Sequence, residues 1–164
     1  MFPQDIETLA TRVLEAARAR GLRVGAAESC TGGLVMAALT SIAGSSDAVE
    51  AGFVTYSNIA KENLLGVSRE LLAEHGAVSE HVARAMAEGA VDKLGVGVAV
   101  SVTGVAGPGG GSADKPVGLV HFATSAPDGG TIHRAERFGD IGRAEVRAAS
   151  VRTALTMLLE RLTA

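Results

Sequence analysis

The chain has 164 residues, a length typical of one domain, and 47% of them are hydrophobic while only 3% are aromatic. A chain of this size buries roughly 70% of its unfolded surface, so the composition excludes a disordered, collagen-like or disulfide-stapled protein and requires an aliphatic core. The formal net charge of −3 gives no general attraction to phosphate backbones, and few rings are present to stack bases. We therefore expect no nucleic-acid partner.

The start of the chain lacks the basic residues and apolar stretch of a signal peptide. The most apolar window, residues 96–102, is interrupted by Gly97 and Ser101 and is far shorter than the roughly 18 residues of a membrane span. The single cysteine, Cys30, cannot form an intramolecular disulfide. These features predict a cytoplasmic protein without a membrane partner.

Hydrophobic periodicity and glycine stops predict six helices, at residues 6–17, 34–42, 58–65, 68–75, 79–94 and 142–162. Apolar and β-branched runs predict five strands, at residues 22–27, 51–56, 97–103, 117–125 and 132–138. The last two strands flank a turn at residues 126–131. Strands that alternate with helices and end in a hairpin indicate an α/β sandwich with a mixed sheet, in a single domain of residues 1–164.

Two loops rich in glycine and hydroxyl residues follow predicted strands, at residues 28–33 and 104–112. In open α/β sheets, ligands bind beyond the carboxyl ends of the strands. The first loop precedes a helix, whose free N–H groups suit a phosphate or an oxyanion; Ser29 or Thr31 could equally serve only as a helix cap. The second loop matches neither a Walker A loop nor a dinucleotide fingerprint, which leaves a surface turn, a lid or an anion cradle.

Three adjacent residues are candidate nucleophiles: Ser29, Cys30 and Thr31. None lies in a Gly-x-Ser-x-Gly elbow, and a lone cysteine in an apolar chain is more often a small buried hydrophobe. The histidines lack the spacing of a zinc site, so we expect surface or packing roles and no metal for His75, His81, His121 and His133.

The best candidate for a general base is Lys61, five residues after Tyr56. A lysine whose pKa is lowered by burial can accept a serine proton. Spacing alone favours a solvated helix residue at this position.

The chain resembles the CinA C-terminal domain family over about residues 6–160. Five blocks in the family's order carry the resemblance: residues 27–33 (AESCTGG), 52–58 with Lys61 (GFVTYSN), 75–80 (HGAVSE), 101–108 (SVTGVAGP) and 115–118 (KPVG). The resemblance implies a three-layer α/β/α sandwich with a mixed sheet. It also implies nicotinamide-nucleotide amidohydrolase (NMN deamidase) activity, in which the carboxamide of nicotinamide mononucleotide is hydrolysed to nicotinate mononucleotide and ammonia without a cofactor.

The resemblance also implies roles for individual residues. Ser29 would be the nucleophile, Lys61 the proton acceptor with Tyr56 assisting, and Thr103 a hydrogen-bond partner of the nucleophile or the base. Arg143 would pair with the phosphate. Further substrate-binding positions are Glu28, Cys30, Thr31, Gly32, Gly33, Gly104 and Gly107.

Long CinA proteins carry an N-terminal domain associated with ADP-ribose pyrophosphatase activity. A chain of 164 residues has no room for it, so we expect a stand-alone deamidase that acts on a small-molecule nucleotide, as a homo-oligomer. The alternative is a non-catalytic nucleotide-binding or interaction module linked to competence.

Overall fold

Five strands form one mixed sheet in the computed structural model, which describes residues 1–164. The strands are β1 (Val24–Glu28), β2 (Val49–Val54), β3 (Val98–Gly104), β4 (Leu119–Ala126) and β5 (Gly130–Arg137). The helices are α1 (Gln4–Ala19), α2 (Leu34–Thr40), α3 (Asn58–Leu65), α4 (Arg69–His75), α5 (Glu80–Leu94) and α6 (Arg143–Thr163). All predicted helices and strands are confirmed, with ends that differ by a few residues. A short 3₁₀ turn, Ser45–Asp47, was not predicted.

The strand order is β2-β1-β3-β4-β5. Strand β1 pairs in parallel with both β2 and β3, while β3–β4 and β4–β5 are antiparallel. The sheet is therefore mixed, as predicted, with its parallel part formed by the first three strands.

Helices α1, α2 and α6 cover one face of the sheet, and α3, α4 and α5 lie on the other, so the fold has three layers. Successive side chains of β3 point to opposite faces of the sheet, so this strand contributes to the packing on both faces. Val98, Val100 and Val102 join the core beneath α1, α2 and α6. On the opposite side, Ala99 packs toward α5, and the Ser101 hydroxyl donates a 2.6 Å hydrogen bond to the Ala83 carbonyl.

The chain leaves β1 and β2 toward opposite faces of the sheet. Helix α2, after β1, packs with α1 and α6, whereas α3 to α5, after β2, pack on the other side. This divergence opens a crevice at the carboxyl end of β1, where ligands bind in open α/β sheets. None of the six helices has the length and apolarity needed to cross a bilayer.

Candidate active site

A cleft of about 300 Å³ lies at the carboxyl ends of β1, β2 and β3. Its walls come from the two predicted loops, from the start of α3 and from the start of α6. The lining residues are Ser29, Cys30, Tyr56, Asn58, Lys61, Ala77, Val78, Thr103, Gly104, Val105, Ala106, Gly107, Gly109, Gly110 and Arg143. Five segments that lie apart in sequence, including residues 77–78 just before α5, thus meet at one site.

Ser29 and Lys61 are in direct contact at the base of this cleft. The Nζ atom of Lys61 lies 3.1 Å from the Oγ atom of Ser29 and donates a 2.7 Å hydrogen bond to the Thr55 carbonyl. The side chain of Lys61 is 1% exposed, and no carboxylate is paired with it. A neutral amine can donate to Thr55 and still direct its lone pair at the serine hydroxyl.

Local sequence explains why Lys61 points inward. The Ser57 side chain caps α3 by accepting the Ala60 N–H, so the helix starts directly beyond the end of β2. Lys61 lies on the first turn and faces the sheet. Burial away from water lowers the pKa of Lys61 from its usual 10.5 because desolvation disfavours the ammonium. The solvated helix residue that spacing alone favoured is therefore the wrong interpretation.

Burial lowers the pKa of Lys61 but raises that of the Cys30 thiol, next to Ser29. Cys30 is 6% exposed, and burial, with a contribution from the charge of Glu28, raises its pKa to about 11. The thiolate is the nucleophilic form of cysteine, so the raised pKa disfavours Cys30 as the nucleophile at neutral pH. The prediction of a small buried hydrophobe is confirmed.

Glu28 does not line the cleft, although it was predicted to bind substrate. It is fully buried, and its carboxylate accepts N–H groups from Gly33, Val35 and Met36 at distances of 2.9–3.1 Å. These are free donors at the start of α2, where the helix dipole also favours an anion. Glu28 therefore caps α2, and the alternative interpretation of Ser29 or Thr31 as a helix cap is wrong.

Some backbone N–H groups of the first loop donate hydrogen bonds within the protein, and others do not. Ser29 N–H donates to the Val102 carbonyl, Gly32 N–H to the Ser29 carbonyl and Gly33 N–H to Glu28. The N–H groups of Cys30 and Thr31 donate to no other residue of the protein. Of these two residues, only Cys30 lines the cleft, and the Thr31 hydroxyl is buried without a hydrogen-bond partner. Thr31, Gly32 and Gly33, which were predicted to bind substrate, are not among the residues that line the cleft.

Thr103 and Tyr56 line the cleft, but their hydrogen bonds differ from the predicted ones. The Thr103 hydroxyl donates to the Ala77 carbonyl at 2.8 Å and bonds neither Ser29 nor Lys61. Tyr56 is 62% exposed, and its hydroxyl accepts from Arg143 at 3.0 Å instead of contacting Lys61. A direct proton relay from Lys61 through either hydroxyl is therefore absent from this arrangement.

Arg143 bridges the mouth of the cleft. Besides its bond to Tyr56, it donates through Nη1 to the Gly107 carbonyl at 2.8 Å. Gly107 has a φ of +83°, and a Cβ atom there would lie 2.6 Å from the Val117 side chain, so only glycine fits this turn. Arg143, Gly104 and Gly107 thus lie in the cleft wall at their predicted place.

Arg147 is a residue that the sequence reasoning missed. Its guanidinium donates to the Cys30 carbonyl at 3.1 Å and to the Thr31 carbonyl at 3.2 Å, from behind the loop. One signal was available in the sequence, since Arg143 and Arg147 are four residues apart and share one face of the last helix.

The histidines lie outside the cleft and form two pairs. The rings of His75 and His81 stack with centroids 3.7 Å apart, and His121 Nδ1 lies 2.9 Å from His133 Nε2. Packing roles are consistent with these contacts, although no spacing in the sequence predicted the pairs. No group of three or more potential ligand side chains is arranged to hold a metal ion.

Comparisons with known proteins agree with this fold. A CinA-like protein from Synechococcus sp. (strain RCC307) is 52% identical over 158 residues, which cover 96% of this chain but 38% of that protein. The chain thus spans about two fifths of the length of such relatives. A protein from Enterobacter agglomerans named nicotinamide-nucleotide amidohydrolase PncC is 48% identical, over 94% of this chain and 96% of its own length.

Solved structures of similar proteins have the same fold. The competence/damage inducible protein CihA from Agrobacterium tumefaciens superposes with a TM-score of 0.97 at 56% identity, over 100% of this chain and 99% of that one. A CinA superfamily protein from Klebsiella pneumoniae gives a TM-score of 0.91 at 40% identity, over 98% and 99% of the two chains. The CinA C-terminal domain profile matches residues 6–162. The chain belongs to the CinA C-terminal domain family.

Proposed function

We propose that this protein hydrolyses the carboxamide of nicotinamide mononucleotide to nicotinate mononucleotide and ammonia, with Ser29 as nucleophile and Lys61 as general base. The observation that carries the proposal is the 3.1 Å contact between the buried Lys61 amine and the Ser29 hydroxyl inside the cleft. A serine is a weak nucleophile until a neighbouring base takes its proton. The similarity to a protein named nicotinamide-nucleotide amidohydrolase supports the choice of substrate.

In the first half of the reaction, Ser29 Oγ attacks the carboxamide carbon while its proton moves to Lys61 Nζ. The carbonyl oxygen becomes an oxyanion, and the N–H of Cys30 is the free donor in the cleft wall that stabilises it. Removing one such donor typically costs about 2.7–4 kcal/mol in barrier height. Protonated Lys61 then gives the proton to the leaving nitrogen, the C–N bond breaks, and ammonia departs.

In the second half, water attacks the acyl ester and transfers a proton to Lys61. The ester bond to Ser29 breaks, Lys61 returns the proton to the serine oxygen, and nicotinate mononucleotide leaves. In each half, neutral Lys61 accepts a proton and protonated Lys61 then gives it up. The lowered pKa of Lys61 assists both of these proton transfers. Neither half requires a metal or a cofactor.

The mouth of the cleft fits a ribose phosphate. Arg143 carries a fixed positive charge there, and guanidinium groups bind phosphate by paired hydrogen bonds. The glycine loop from Gly104 to Gly110 presents backbone without side chains, which permits close approach of a ligand. Tyr56 is exposed beside Arg143, and we assign it to contact with the substrate instead of proton transfer.

The competence-linked binding module is the less favoured function. A site that only binds a nucleotide has no need of an amine buried without a counter-ion, because such burial costs free energy. A base that must be neutral at working pH does need that burial. This difference favours hydrolysis.

Ammonia release from nicotinamide mononucleotide, free nicotinamide and NAD tests the proposal directly. We expect turnover of the mononucleotide, poor turnover of free nicotinamide, and loss of turnover in a folded Ser29→Ala variant. Equal kcat/KM for the mononucleotide and free nicotinamide would contradict the assigned phosphate contact. Full activity in Ser29→Ala would contradict the nucleophile.

A further inference from the structure

We propose that Arg147 is a positioning residue that holds the Cys30 amide in place as the oxyanion donor. This inference rests on the proposed serine mechanism. Arg147 lies on α6, outside the cleft lining, and reaches the loop that follows Ser29 from behind. It therefore acts on the reaction only through the backbone that it binds.

Most backbone polar groups of this loop are held by hydrogen bonds. Ser29 is tied to β3 through the Val102 carbonyl, and its own carbonyl accepts from Gly32. Arg147 binds the next two carbonyls, those of Cys30 and Thr31, and the Thr31 carbonyl also accepts from Leu34 N–H. The backbone polar groups from Ser29 to Thr31 that remain unbonded are the N–H groups of Cys30 and Thr31, and of these two residues only Cys30 lines the cleft.

Two peptide units meet at the Cα atom of Cys30, and each is held by one hydrogen bond. The first unit contains the Ser29 carbonyl and the Cys30 N–H, which point in opposite directions, and its carbonyl accepts from Gly32 N–H. The second unit contains the Cys30 carbonyl, which Arg147 holds from α6. Arg147 therefore fixes the position of the Cys30 backbone relative to α6, while the bond from Gly32 sets the direction of the Cys30 N–H.

Arginine is suited to this task where lysine is not. A planar guanidinium makes two hydrogen bonds in a fixed fork, whereas an ammonium acts as one compact charge. Here Nε and Nη2 bind two successive carbonyls, at 3.1 and 3.2 Å. A lysine at the same position could restore one of the two bonds.

The test compares Arg147→Met and Arg147→Lys with Arg152→Met as the matched control. Arg152 is an arginine of the same helix that ties α6 to α1 through Asp5, remote from the loop. We expect kcat to fall about 10–100-fold in Arg147→Met, less than the roughly 100–1,000-fold cost of removing an oxyanion donor. KM should stay within about threefold. Arg147→Lys should fall between wild type and Arg147→Met, and Arg152→Met should keep its kcat.

Two further measurements separate positioning from general destabilisation. The midpoint of the pH profile of kcat/KM should not move in Arg147→Met, because the contacts of Lys61 are untouched. Labelling by a fluorophosphonate should slow by about the same factor as kcat. In that reaction a bond forms between Ser29 Oγ and phosphorus, the P–F bond breaks, and the proton goes to Lys61 while negative charge grows on the phosphoryl oxygen.

Fluorophosphonate labelling also distinguishes failure of this inference from failure of the proposed function. If wild type is labelled at Ser29 but does not turn over nicotinamide mononucleotide, the substrate assignment fails and the labelling rates still decide the role of Arg147. Unchanged kcat and labelling in a folded Arg147→Met, an equal loss in Arg152→Met, or a shifted pH midpoint would each overturn the inference. Absence of both turnover and labelling in wild type would overturn both proposals.

Discussion

Replacement of Lys61 by methionine tests the proposed Ser29–Lys61 dyad because it removes the amine and keeps a long, unbranched side chain. Lys61 Nζ contacts Ser29 Oγ and the Thr55 carbonyl, and the side chain is 1% exposed. A positioned general base contributes about 10²–10⁴-fold to rate. At about 1.36 kcal/mol per tenfold, we expect the barrier for Lys61→Met to rise by about 2.7–5.4 kcal/mol. Nucleotide affinity should be retained.

The same substitution should leave the fold intact. Loss of the bond to the Thr55 carbonyl costs about 1–3 kcal/mol, and removal of a buried amine offsets part of this. A chain of this size loses about 2–4 °C in Tm per kcal/mol, so circular dichroism will report a modest shift. The lost activity can then be assigned to the missing base.

The lowered pKa of Lys61 predicts a measurable dependence of stability on pH. Its folded pKa is lowered from 10.5, so the unfolded chain binds more protons between the folded value and 10.5. The free energy of unfolding therefore rises with pH through that window, and this increment should vanish in Lys61→Met.

Replacement of Lys61 by arginine separates catalysis from binding, since a guanidinium keeps the charge but does not release its proton at neutral pH. A folded Lys61→Arg protein should have almost no turnover. If Lys61 only held a phosphate, arginine would preserve nucleotide affinity and methionine would abolish it. Turnover and nucleotide affinity of both variants are the assay, and substantial turnover in folded Lys61→Arg would refute the serine–lysine mechanism.

Three other positions give independent predictions. Cys30→Ala should keep most kcat in the ammonia assay, because the thiol is protonated at neutral pH; an inactive but folded variant would reverse this assignment. Glu28→Gln should lower the free energy of unfolding in urea by roughly 1–3 kcal/mol, since an amide cannot match three N–H donors, and unchanged stability would contradict the cap. Burial, with the charge of His133, lowers the pKa of His121 to about 4, so the unfolded chain protonates first between pH 6.5 and 4 and stability falls with acidification. His121→Gln should lose less stability between pH 7 and pH 4.5 than wild type does, and an equal loss would argue against this burial effect.

Most of the fold could be predicted from the sequence because its signals are local. Serine caps at Ser57, Ser68 and Ser79 and the glycines that end the helices mark α3, α4 and α5 within one or two residues. The apolar runs mark β1 and β3, which are buried along nearly their whole length. Local backbone preference and hydrophobic period determine these elements without reference to the rest of the chain.

The family blocks contain most of the residues that line the cleft, but they do not give the contacts of these residues. Lys61 illustrates the limit, since spacing alone favoured a solvated residue, and only the tertiary structure buries its amine beside Ser29 and the Thr55 carbonyl. Desolvation depends on every neighbour that excludes water, so the lowered pKa of Lys61 is a property of the tertiary structure.

For Glu28, Tyr56 and Arg147 too, the hydrogen-bond partners were decided by the tertiary structure. The sequence places Glu28 beside Ser29, yet strand alternation turns its carboxylate away from the cleft and toward the start of α2. Tyr56 and Arg147 have partners 87 and 116–117 residues away along the chain, which no local pattern can pair. Residue types and elements follow from short-range chemistry, whereas the direction of each polar side chain depends on which groups the completed fold leaves within hydrogen-bond reach.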